Sequence, residues 1–80
     1  IPPLTEERRK ELVKIVRNES ENSKIRIRNI RKDSNHEIKK TDVSDDEKKN
    51  FEIDIQELTN NFIDKIDSVL SAKEKEIMTV

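Results

Sequence analysis

Apolar residues recur along this chain at steps of three and four. Leu12, Val16, Ser20, Ser23, Ile27, Ile30, Ser34 and Ile38 form one such series, with small serines holding some of its places. Phe51, Ile55, Leu58, Phe62, Ile66, Val69 and Lys73 form a second. Strict alternation fails over both stretches, so the pattern predicts helices and argues against strands.

The flanking residues set the ends. Pro2 and Pro3 impose an extended approach, and Thr5 suits an N-cap. Glu6 and Glu7 suit the positive end of a helix dipole. The segment "TDVSDDEKK" interrupts the pattern, and Ser44 with Glu47 three residues on reads as a capping box. These signals predict helices over about 5–40 and about 44–78, both longer than ordinary globular helices.

A connection this short makes the two rods antiparallel neighbours. The expected fold is all-α, a long antiparallel helical hairpin. Two helices do not enclose a core, however. Val13, Ile15 and Ile25 on the first rod widen its apolar arc, as do Ile53, Ile63, Leu70 and Ile77 on the second. A third helix is therefore implied, from sequence outside these residues or from a second copy. The expectation is one part of an elongated three-helix bundle. The opening "IPPLTEERR", with no Met in front, agrees with a piece of a larger fold.

Composition narrows the function. Of the 80 residues, 30% are hydrophobic and 44% charged, with no Gly, Cys, Trp or Tyr. Such a chain buries only a thin core. The mixed signs and the apolar period argue against disorder. Without cysteine there is no disulfide framework and no thiolate metal site, and His36 alone does not build a zinc site. No apolar run approaches the roughly 20 residues needed to span a bilayer. The expectation is a soluble protein kept inside a cell or organelle, with no metal, no cofactor and no membrane contact.

Catalysis is not expected either. No nucleophile pattern accompanies His36, which reads as an exposed polar residue near a helix end. There is no phosphate-cradling loop, because there is no glycine. "SDDEKK" lacks the glycine and ligand spacing of a calcium loop.

Charge changes the picture more. Up to Lys40 the chain carries 12 Lys or Arg against 7 Asp or Glu, a net +5. Beyond it there are 5 against 11, a net −6. One rod is basic and the other acidic. With Arg9 as origin and about 100° per residue, the apolar seam lies between about 300° and 40°. Arg31, Lys24, Arg17 and Arg28 follow at about 40°, 60°, 80° and 100°, and Lys39, Lys14 and Lys32 at about 120° to 140°. A basic flank thus runs beside the apolar stripe, with most acids of this rod on the other side. Two readings stay open at this point. The flank is a solvated face paired to the acidic rod, or it grips phosphates, which suits arginine's planar fork. Phe51 and Phe62 both lie on the seam, so no aromatic platform for single-stranded bases is left. A nucleic-acid partner would be met through backbone and shape, as for folded RNA.

The blocks "PPLTEERRKEL" and "RNIRKDSN", followed by "LTNNFIDKIDSVLSAKEKEIM", resemble the C-terminal part of the ribosome recycling factor family. The resemblance covers nearly the whole chain. It implies a long three-helix bundle with a hinged β-rich domain inserted after the first bundle helix. These 80 residues resemble the last two bundle helices only. Ile1 to Leu4 would lie where the chain returns from the hinge. It implies a non-enzymatic role in ribosome recycling after termination, with the ribosome and elongation factor G as partners, in bacterial cytoplasm or in an organelle. The bundle would rest on large-subunit ribosomal RNA. Arg9 in "EERRKEL" and Arg28 and Arg31 in "RNIRKD" match arginines of that surface. Lys32 stands where arginine is usual, keeping charge without the fork. Arg17 and Lys24 are further candidates for phosphate contact. The stretch from Lys39 to Ser44 is short for the family, so a blunter bundle tip is expected. The alternative, from the residues alone, is a self-associating hairpin that forms a four-helix dimer.

Overall fold

The computed structural model describes residues 5–79. It consists of two α-helices, α1 (Glu6–Lys39) and α2 (Asp45–Met78), packed antiparallel. The rod measures 62 × 15 × 15 Å. The extended approach expected at Pro2 and Pro3, and the placing of Ile1 to Leu4, lie outside the described residues.

Both helices begin on a side-chain cap. Thr5 Oγ1 accepts from Arg8 N at 3.1 Å, and Ser44 Oγ accepts from Glu47 N at 3.2 Å. Each cap satisfies one amide that has no partner within the helix. Glu6 and Glu7 open α1, and Asp45, Asp46 and Glu47 open α2, where the dipole favours negative charge. The end of α1 has no glycine to turn on. Instead Lys40 stays in the right-handed region and donates to Glu37 O at 3.1 Å, while Thr41 donates to Ile38 O at 3.1 Å. The last turn tightens, and five residues then reach α2.

The helices touch along a narrow line. Among the described residues no hydrophobic side chain is buried; the two buried residues are Arg9 and Thr59, at 8% and 5% exposure. Thr59 turns its hydroxyl back onto Ile55 O at 2.7 Å, which removes its one polar group from the contact. Val13, Val16, Ser20, Ile27 and Ile38 of α1 are half-buried, as are Ile55, Ile63, Ile66, Leu70 and Ile77 of α2.

The apolar stripe read from the sequence is not all spent on this contact. Ile30 is 63% exposed and Phe62 51%, and Phe51, Leu58 and Val69 are exposed too. The reason is geometric. With one neighbour, a helix buries a single stripe about two residues wide, and these residues sit beside that stripe on a common open side. There Ile30, Leu58, Phe62 and Val69 line two shallow grooves, one walled also by Ile27, Arg31, Ile55 and Thr59, the other also by Val16, Ser20, Ser23 and Ile66. Ile15, Ile25 and Ile53, expected to widen the arcs, are exposed as well. Covering each such side chain contributes on the order of 1 kcal/mol. Nine of them, Met78 included, together rival the whole stability of a small domain, about 5–15 kcal/mol.

Candidate nucleic-acid interface

The cations of the basic flank of α1 fall into two rows, with Arg8 and Arg26 on the other side of the helix. The inner row is Arg17, Lys24 and Arg31, spaced by seven residues and therefore on one face. Each meets α2. Arg17 Nε pairs with Glu74 Oε1, and Lys24 Nζ pairs with Asp67 Oδ1 and, at 3.6 Å, with Glu21 Oε1. Arg31 Nη1 donates to Gln56 Oε1 at 3.2 Å. Gln56 is held in turn, since its Nε2 donates to Asn60 Oδ1 at 2.9 Å. Asp67 and Glu74 are also seven residues apart, so the ladder repeats on both helices.

Burial and charge follow from these contacts. The Lys24 side chain is only 13% exposed. Its hydrogen bond to Asp67 pushes its pKa up from the ordinary lysine value, against the opposing effect of burial. Glu74 likewise raises that of Arg17, by its hydrogen bond and then by its charge. Both cations stay charged and are locally neutralised. Arg31 differs, because its partner Gln56 is uncharged and leaves the guanidinium charge uncompensated.

Arg9 has another task. Its Nη1 donates to Met78 O at 3.2 Å, one of the final carbonyls of α2. A cation there meets the negative end of the dipole. Its Nε has no partner among the described residues. Sequence reading could not find this, because the two residues lie 69 apart in the chain.

The outer row is exposed. Arg28 and Lys32 stand one turn apart and pair with no described residue. Lys14 and Lys39 share this flank and are exposed too. So is Lys10, which the angular reading passed over although it lies 18 residues, five full turns, before Arg28. The flank read as one basic stripe is thus two rows with different partners. Arg17 and Lys24 answer to the acidic helix, while Arg28 and Lys32 face outward.

Comparison with known proteins decides the family. The model of the family described as "Ribosome recycling factor" matches residues 1–78. The chain belongs to the ribosome recycling factor family. A ribosome-recycling factor of Dichelobacter nodosus is 52% identical over 98% of this chain, which covers 44% of that relative. One of Christiangramia forsetii is 52% identical over the whole chain and 44% of its own length, and one of a Geobacillus species is 50% identical over the whole chain and 45% of its own length. The chain spans a little less than half the length of these curated members of the family. No described helix is long and apolar enough to cross a membrane.

Proposed function

We propose that this segment is the last two helices of a three-helix bundle that binds large-subunit ribosomal RNA during ribosome recycling after termination. The family is a translation-factor family, and the role assigned here is binding, not catalysis. Arg28, Arg31 and Lys32 make the phosphate contacts, because they carry outward or uncompensated charge on one side of α1. Arg9, Arg17 and Lys24 act chiefly between the helices, and shape the surface from behind. The open apolar side receives the first bundle helix, and a hinged β-rich domain lies before Ile1. Elongation factor G is the proposed partner in separating the subunits, in bacterial cytoplasm or an organelle.

The observation that carries this reading is the exposed, unpaired Arg28 and Lys32 within a chain of this family. It is tested with the full-length protein and purified large subunits. Binding should weaken steeply with salt, and Arg28→Ala with Arg31→Ala should weaken it and flatten the salt slope. Unchanged affinity and slope would remove these residues from the contact. The open apolar side also favours a second reading for the segment in isolation, a four-helix dimer. Sedimentation of the isolated segment with and without the first helix separates the two.

A further inference from the structure

Two pairs of cations on α1 match each other. Lys10 and Lys14 are four residues apart, and Arg28 and Lys32 repeat that spacing 18 residues later. Eighteen residues make five turns, so the second pair faces the same way as the first, about 27 Å along the axis. All four side chains are exposed, and none forms an ion pair with a described residue.

On the face that the two pairs share, the stretch between them is electrically quiet, Arg26 lying on the other side of α1. Arg17 is held by Glu74, and Lys24 by Asp67 and Glu21. Glu21 lies on the same face as the two pairs, about 20° from Lys10, and puts a negative charge in the gap. At the near end, Lys10 and Lys14 flank a groove between the helices that also takes in Val13 and Met78. Arg8 occupies Glu11, the acid of that groove on α1, at 2.9 Å.

We propose that Lys10 and Lys14 form a second phosphate-contact point, so that α1 touches ribosomal RNA at two places and not along its middle. This rests on the RNA-binding reading above and adds to it the place and spacing of the second contact. A separation of about 27 Å far exceeds the roughly 3.4 Å per phosphate along one strand of a duplex. The two points therefore meet phosphates about eight steps apart on one strand, or on separate strands of a folded RNA. They are also more than a Debye length, about 8–10 Å, apart, so each acts independently of the other.

The test uses the full-length protein, purified large ribosomal subunits and a salt series. The variants are Lys10→Gln with Lys14→Gln, Arg28→Gln with Lys32→Gln, and all four together. Glutamine keeps helix propensity, and a circular dichroism melt checks that each variant folds. Each pair should flatten the slope of log affinity against log salt by about 1.4–1.8, and the four-fold variant by the sum. If Lys10→Gln with Lys14→Gln behaves as the parent while the other pair loses affinity, the second contact point is wrong and the RNA-binding reading stands. If neither pair alters affinity or slope, the RNA-binding reading falls and this inference with it.

Discussion

Lys24 of α1 and Asp67 of α2 form an ion pair across the hairpin, and Lys24 is among the least exposed charged side chains of the rod. The pair is the middle rung of a ladder with Arg17–Glu74 at one side and Arg31–Gln56 at the other. Rungs seven residues apart on α1, and seven and eleven apart on α2, fix which turn of α1 faces which turn of α2. Lys24→Met and Asp67→Asn should each lower the melting temperature of the full-length protein, and the double variant should lose less than the sum. High salt should shrink the coupling. Strict additivity at low salt would show that the pair does not couple the helices.

The same pair sets a pH dependence. Lys24 has a raised pKa in the folded chain. Its contribution is therefore fully present below the unfolded lysine value of about 10.4, and is lost as pH rises through the higher folded value. Melts between neutral and strongly alkaline pH should show a fall that is shallower in Lys24→Met. Parallel curves for the two proteins would contradict this.

Thr59 is the most buried of the described residues, at 5% exposure. Thr59→Leu puts more bulk into a nearly closed position beside the groove and loses the hydroxyl's bond to Ile55 O, and should cost about 1–3 kcal/mol. Thr59→Ala removes a methyl and a satisfied hydroxyl, and should cost about 1 kcal/mol. Denaturant titration of the full-length protein checks both. A stabilised Thr59→Leu would mean that the contact is looser than described.

Phe62 should behave differently in two settings. In the isolated segment it is half exposed, so Phe62→Ala should cost under about 1 kcal/mol. In the full-length protein, with the first bundle helix over it, the same change should cost about 3–5 kcal/mol. Equal costs would contradict the covering of this face.

Much of the fold was legible in local residues. Thr5 and Ser44 cap the helices as their sequence contexts predict, because capping is decided within four residues. The apolar period gave the hairpin for the same reason. What the period could not say was how the stripe divides between neighbours. Ile30 and Val16 share a helical face, yet Ile30 is exposed and Val16 half-buried, since the partner's position depends on packing over the whole rod. The candidate site was legible as a surplus of cations on one flank. Its division into inner and outer rows was not, because that needs the register of Glu74, Asp67 and Gln56, which no local signal in α1 carries. Arg9 shows the limit most plainly. The family resemblance of its motif implies an RNA contact, whereas only the packed hairpin shows its guanidinium donating to Met78 O at the end of α2.

The central claim is that the outer flank of α1 lies against ribosomal RNA. These 80 residues contain no cysteine, so one can be placed on either helix once any cysteine elsewhere in the full-length protein is replaced by serine. Lys32→Cys puts a tethered iron chelate on the outer row of α1, and Glu57→Cys puts it on the exposed acidic side of α2. With the full-length protein bound to large subunits, hydroxyl radicals from position 32 should cut ribosomal RNA strongly and those from position 57 weakly or not at all. Strong cutting from 57 with none from 32 would contradict the account.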